Sequence, residues 1–167
     1  MTLQPTNTYR NIKASLEKYI FTNLASNDSI TVDWQGHKGT ELENVDEWIA
    51  PRMLRGGQFY RGHVTTSRKG TETEILLNIN IFLRKGSTTN AHRLFQLRDT
   101  VAQYFELNQE VNLKNYSVAG YPNTEIFIVK EIMTDQEIPT GVSEGGTTTD
   151  LYYMYNYTVL LKFISQF

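Results

Sequence analysis

The 167 residues contain no cysteine. This excludes a disulfide framework, a thiolate metal site and a cysteine nucleophile, and it leaves the fold to packing alone; it also suits the cytosol. Long apolar runs are missing too. The longest, Ile75 to Leu83, is interrupted by Asn78 and Asn80, far short of the ~20 residues a membrane-crossing helix needs, so no transmembrane span is expected. The first residues, MTLQPTNTYR, lack a charged n-region and an apolar h-region, which predicts no secretory signal. A basic excess is absent as well: the net charge of −2 argues against a dedicated nucleic-acid binder. No internal repeat or low-complexity tract occurs. GxxxxGK[ST], GxGxxG, GxSxG, HExxH and an EF-hand loop are all missing, so phosphate cradles, nucleophile elbows and the usual metal sites have no support.

The composition present is that of a globular domain. With 40% hydrophobic, 20% charged and 12% aromatic residues, the chain is too aromatic and too weakly charged for wholesale disorder. Its length fits one domain, residues 1–167, that buries roughly 70% of its unfolded surface. Charge is segregated along it. Trp48 to Thr71 holds Arg52, Arg55, Arg61, Arg68 and Lys69 without an acid, whereas Glu131 to Asp150 holds Glu131, Asp135, Glu137, Glu144 and Asp150 without a Lys or Arg. Two solvated segments would look like this. So would a heterologous, ring-forming interface in which the positive patch of one copy meets the negative patch of the next.

Hydropathy patterning supplies the elements. After an N-terminal tail, 1–8, with Thr6, Asn7 and Thr8 as caps, the stripe Tyr9, Ile12, Leu16, Tyr19, Ile20, Leu24 predicts a helix over 9–25. Ile30, Val32 and Trp34 alternate with polar residues as a half-buried strand, and 35–46 reads as a loop. Glu47 to Leu54 is strand-like, but Pro51 confines it to a sheet edge or just outside. Strands over 58–66 and 73–85 flank SRKGTET, a hairpin loop in which Gly70 supplies a positive φ. In the second, Ile75, Leu77, Ile79, Ile81 and Leu83 face one way and Leu76, Asn78, Asn80 and Phe82 the other, as in a sheet covered on one side. A helix follows over 89–106, capped by Ser87 or Thr88, with the stripe Ala91, Leu94, Phe95, Val101, Ala102, Phe105. Strands over 125–133 and 152–164 end the chain, the latter with Tyr153, Tyr155, Tyr157, Val159, Leu161 and Phe163 on one face. Between them, 134–150 reads as a long acidic loop of the kind that is functional or disordered. The sum is an α+β domain, with two helices on one face of a largely antiparallel sheet and long polar loops.

Chemistry-bearing residues do not converge. His37, His63 and His92 match no ligand spacing. Among the carboxylates Asp33, Glu74, Glu125 and Glu131, the last two would share a strand face roughly 20 Å apart at ~3.3 Å per residue. Tyr152, Tyr153, Tyr155 and Tyr157 read as a cross-strand aromatic ladder in preference to a base-stacking platform. No catalytic, cofactor-binding or metal-ligating residue is assigned, and no enzyme is expected.

The order of elements is informative in itself. An amphipathic helix is followed by a Trp-bearing strand, a Pro-containing edge segment, the strand LLNINIFLRKG feeding the helix TTNAHRLFQLRDTVAQYF, and the terminal strand YYMYNYTVLLKF. From Tyr9 onward this plan resembles the tail terminator, or tail completion, proteins of long-tailed bacteriophages. The resemblance implies a virion protein at the head-proximal end of the tail, assembled in the host cytoplasm. It would cap the tail tube as a hexameric ring, stopping polymerisation and presenting a surface to the head-tail connector or neck protein. DNA would be only passing cargo, and neither cofactor nor membrane would be involved. The family has no invariant functional residue to transfer, and 134–150 is long for it. Charge and position therefore nominate the subunit or tube interface: Arg52, Arg55, Arg68 and Lys69 on one side, Glu137, Glu144 and Asp150 on the other. A head-completion or neck protein, another tail adaptor, a small metal-dependent enzyme and a monomeric ligand-binding domain are the competing readings.

Overall fold

A computed structural model describes residues 9–36, 42, 44–65, 68–85, 91–138 and 152–166; within these, the side chains of 55–73, 91, 124–125 and 163–166 are not described. Helix α1 runs over Tyr9–Ile20 and continues as a π-helical stretch, Phe21–Asn27. Ile12, Leu16, Ile20 and Leu24 are all buried. A strict four-residue repeat drifts off one face of a helix with 3.6 residues per turn, and the wider π turn brings Leu24 back onto it. The expected strand around Ile30 shrinks to β1, Thr31–Val32, but Ile30 and Val32 are buried as the alternation requires.

Strands β2 (Glu47–Thr65) and β3 (Arg68–Arg84) form one long hairpin. Two expectations change here. Residues 47–54 are not a separate edge segment but the first part of β2, and most of SRKGTET is strand, with Gly70 paired to Arg61 inside the ladder. Pro51 still obeys the edge rule. The Ile49 carbonyl accepts from the Asp33 N–H at 2.8 Å and the Met53 N–H is also directed outward. Pro51 has the same parity, so its missing donor faces outward and costs β3 no ladder bond.

Helix α2 (Ala91–Tyr104) precedes β4 (Glu110–Lys114), a strand absent from the sequence reading. Strand β5 covers Asn123–Ile138 and β6 covers Tyr152–Gln166. Thr134 to Ile138 therefore belong to β5, paired with Thr158 to Met154 of β6. The acidic loop expected to begin at Thr134 starts later, and 139–150 lies outside the described residues, as do 1–8 and the cap at Ser87 or Thr88.

The six strands form one sheet in the order β1-β2-β3-β6-β5-β4, antiparallel except for β1 on β2. The fold is a single-domain α+β structure with a curled, mostly antiparallel sheet and two helices. Ile75, Leu77, Ile79, Ile81 and Leu83 are buried against the helices, as expected, together with Val159 and Leu161. Leu94, Val101, Ala102 and Phe105 hold α2 in the same core. Phe95 does not. It is 42% exposed with its ring edge toward Tyr155, and Leu97, at 1%, takes the buried place. The tyrosine ladder is interrupted in the same way. Tyr155 and Tyr157 are buried on the helix side, while Tyr152 packs its ring edge on Trp48, itself stacked on Phe82, on the opposite face. That opposite face carries a largely buried amide ladder: the Asn156 side chain donates to Asn80 at 2.8 Å, Asn78 donates to the Thr158 hydroxyl at 2.9 Å, and that hydroxyl donates to Asn156 at 3.0 Å.

Candidate interaction surfaces

A sheet exposes a row of unpaired backbone groups at each edge, a liability that folded proteins have to manage. Among the described residues, side chains cap backbone groups at two places along the outer strands of the body. On β4, the Lys114 N–H donates to the Ser15 hydroxyl at 2.9 Å and, just past the strand, the Tyr116 N–H donates to the Asn11 amide oxygen at 3.1 Å. This explains why two polar residues of α1, Asn11 and Ser15, are only 1% and 3% exposed. On β2, the Gln35 side chain accepts from the Met53 N–H at 2.7 Å and donates to the Met53 carbonyl at 3.4 Å. One amide thus stands in for a strand residue. Beside it, Arg52 donates to the Asp33 carbonyl at 2.7 Å and pairs with the Asp33 carboxylate.

Beyond the body the same strands continue as an arm. On β3 and β6 the last described core residues in that direction are Ile75 and Leu161, while β5 and β4 carry the buried Phe127 and Leu113 further on. From there β3 runs back to Arg68, paired with β2 out to Thr65, roughly 23 Å, while β6 follows only to Gln166, roughly 17 Å, at ~3.3 Å per residue. β1 pairs only with Trp48 and Ile49, and the β5–β6 ladder ends at Ile128 and Lys162. Among the described residues, neither outer edge of the arm is paired. A one-residue bulge between Arg55 and Gln58 sits where the arm begins, a device that bends a strand and strengthens its twist.

The nominated interface residues separate accordingly. Arg52 lies in the body and is held by Asp33. Arg55 stands at the bulge, while Arg68 and Lys69 open β3 at the arm's tip, Arg68 opposite Thr65. Glu137 is an exposed residue of β5 opposite Tyr155, in the row of Ile81. It lies roughly 40 Å from the tip at ~3.3 Å per residue. Arg68 and Lys69 are therefore at the opposite end of the sheet from Glu137 and cannot neutralise it within one copy. Glu144 and Asp150 lie outside the described residues. His92 is exposed on α2, His63 is a backbone position of β2 and His37 is not described. Among the described residues no three His, Asp or Glu side chains gather as a metal site, and no helix is long and apolar enough to cross a membrane.

The sequence reading missed a charged cluster between α2 and the far end of β5. Arg98 makes a two-pronged pair with Asp135, Nε to Oδ1 at 2.9 Å and Nη2 to Oδ2, while the Tyr155 hydroxyl donates to the same carboxylate at 2.7 Å. Arg98 also lies over the Tyr157 ring, 5.6 Å from its centroid. The hydrogen bonds from Arg98 hold the Asp135 carboxyl below its ordinary pKa against the cost of partial burial, and the Tyr155 hydroxyl adds to the lowering. Burial pushes the Tyr157 phenol up to about 12; its hydroxyl donates to the Phe105 carbonyl at 3.2 Å. Every member of the cluster is engaged, so it clamps α2 to the sheet and presents no reactive group.

No protein-family model matches the chain, and neither does any curated protein sequence. One solved structure superposes on it with a TM-score of 0.60, over 94% of this chain and 96% of its own, at 15% sequence identity. A likeness at that identity shows the fold alone, over nearly the full length of both chains.

Proposed function

We propose that this protein is a structural virion component that caps a bacteriophage tail tube as a ring, ends tube polymerisation and offers the surface on which the head docks. The observation that carries the reading is the arm. A chain acting alone has no use for a hairpin running roughly 23 Å past the last described core residue of β3, while an assembling one needs an element that reaches a neighbour. By sequence the arm is basic, with Arg55, Arg61, Arg68 and Lys69 against Glu72 and Glu74. The acids Glu131 to Asp150 follow the part of the chain that leads to the opposite end of the sheet. A head-to-tail arrangement brings the two together between copies, which is the heterologous contact a closed ring requires. The element order that resembles tail terminators supports the same role.

Light scattering on the purified protein, across concentration and salt and with or without assembled tail tubes, tests this reading. A six-fold ring, alone or on the tube end, is the expected result. Electron microscopy of particles lacking the protein gives the second check. Overlong or headless tails agree with the proposal, and leaky DNA-filled heads assign the protein to the neck instead.

A further inference from the structure

Backbone direction along the ladders shows which stretches of edge are open. In β2, the Ile49 carbonyl and the Met53 N–H point away from β3, so their partners Ile81 and Leu77 turn toward β6, and by alternation Ile79, Ile75, Thr73 and Thr71 do the same. Opposite the last three, Arg55, Gln58 and Tyr60 face outward on β2. The same count carried across β6 meets Tyr155, Tyr157 and Val159, whose partners Glu137, Asp135 and Ile132 face outward on β5. Val129, opposite Leu161, belongs to the same set and confirms the count: its N–H donates to the Gln109 carbonyl at 3.0 Å and its carbonyl accepts from the Asn108 N–H at 2.8 Å. There the outer neighbour of β5 stops, as Gln35 is the last cap on β2 at Met53. Among the described residues, no strand pairs with Arg55–Tyr60 or with Ile132–Glu137 on its outer side, and the two stretches are six residues each.

We infer that successive copies join by antiparallel strand pairing, the Arg55–Tyr60 edge of one copy against the Ile132–Glu137 edge of the next. Direction, place and charge all fit a second copy. β2 and β3, β3 and β6, and β6 and β5 are each antiparallel, so β2 runs opposite to β5, and copies that follow one another head to tail meet as an antiparallel pair. The covers are complementary as well. β1 and Gln35 occupy β2 before Arg55, while β4 and Gln109 occupy β5 on the tip side of Ile132. The arm of one copy thus takes the place beside β5 that β4 leaves open. By sequence, Arg55 to Arg61 holds two arginines and no acid, whereas Glu131 to Glu137 holds Glu131, Asp135 and Glu137 and no base. Asp135 is already held by Arg98, which leaves the exposed Glu131 and Glu137 to meet the neighbour's basic strand, the favourable combination across a strand pair. Each basic tip then lies toward the acidic part of the next copy and away from the other tips. This inference rests on the ring reading and specifies the seam between copies.

Proline at an outward-facing edge position deletes only the outward donor and leaves the ladder behind it intact. Tyr60→Pro spoils the edge on the arm and Glu137→Pro the edge on β5. By light scattering, each variant alone is expected to remain monomeric under conditions in which the unsubstituted protein forms rings, with its melting temperature within a few degrees of the parent. Mixed in equal amounts, the two retain one intact pair of edges and are expected to give a 1:1 dimer and nothing larger, which also shows that both are folded. Glu137→Gln, which loses the charge and keeps the N–H, is expected to weaken assembly without abolishing it. Rings formed by either proline variant, or a mixture that stays monomeric, would overturn the edge pairing and leave the ring reading standing. Self-association into open chains that both prolines abolish, with no ring on tail tubes, would leave the edge pairing standing and overturn the ring. An unsubstituted protein that is monomeric with and without tail tubes would overturn both.

Discussion

Gln35 pairs with both backbone groups of Met53, its carbamoyl oxygen 2.7 Å from the N–H and its nitrogen 3.4 Å from the carbonyl oxygen. A side chain here does the work of a seventh strand, and it does so at the point where β1 has ended and the open arm has not begun.

Replacing Gln35 with Leu keeps the volume and removes both hydrogen bonds. The loss of stability should be about 1 kcal/mol, since the exposed side of the edge lets water replace part of what is lost. The more telling change is in solution behaviour. With Met53 uncovered, the bare edge extends inward from the arm, so irregular aggregation on concentration should rise. Chemical denaturation and light scattering of the same samples measure the two effects.

The α1 caps face a harsher environment. With Ser15→Val, the Lys114 N–H loses its partner at a site only 3% exposed, and an unsatisfied buried donor costs about 1–3 kcal/mol. Hydrogen exchange locates the damage: the amide of Lys114 should lose protection, while amides of β3 exchange at a rate set by global stability. Equal loss of protection everywhere would mean that Ser15 acts through packing and not through that bond.

Asp135 gives the protein a pH dependence of definite sign. Arg98 lowers its folded pKa, so its contribution is present above the unfolded value near ~3.9 and is lost as pH falls through the folded one. Asp135→Asn should lower stability at pH 7 by about 1 kcal/mol, which is roughly 2–4 °C in melting temperature for a chain of this size. The gap between variant and parent should close as the pH is taken below about 4, where the parent's carboxylate becomes protonated as well. A gap that stays constant through that range would show that charge plays no part.

Tyr157 is a spectroscopic reporter of the same core. Burial raises its phenol to about 12. Its ionisation should therefore follow that of exposed tyrosines with ordinary values near ~10 and should coincide with alkaline unfolding. Tyr157→Phe removes the bond to the Phe105 carbonyl and the late phase together, which ultraviolet titration resolves.

The body was legible because burial there follows one period at a time. Ile75 to Leu83 alternate without a fault, and Ile12 to Leu24 repeat at helical spacing, so both elements and their inward faces could be read directly. The arm was legible in part: the strand over 58–66 was read, but RGG and RKGTE have no apolar alternation to show that β2 runs unbroken from Glu47 and that β3 begins at Arg68. β5 was cut short at Met133 for a related reason. TDQEI is polar because its inner side meets Arg98 and Tyr155 in place of a hydrophobic surface. β4 escaped because EVNLK has only two inward residues, Val111 and Leu113. The edge caps did leave a trace: Asn11 and Ser15 are polar residues four apart beside Ile12 and Leu16, an interruption of the apolar stripe that marks a buried partner. Gln35 left none, because a glutamine after a strand is ordinary turn composition.

Reversing the charge at the arm's tip tests the attraction between copies. Arg68 and Lys69 open β3, where nothing described in the same copy faces them with opposite charge, and the exposed Glu137 lies at the other end of the sheet. Arg68→Glu with Lys69→Glu should leave the melting temperature of the monomer within about 1 °C, because surface charges far from partners contribute little. Ring formation should weaken at low salt, where the parent's attraction between copies is strongest and the variant meets repulsion instead. Raising the ionic strength screens both, so the two proteins should converge toward the same assembly midpoint as the Debye length falls from ~10 Å at 0.1 M to ~3 Å at 1 M. Light scattering across a salt series reads this as two curves of opposite slope. Curves that coincide at every salt would remove the arm's basic tip from the interface.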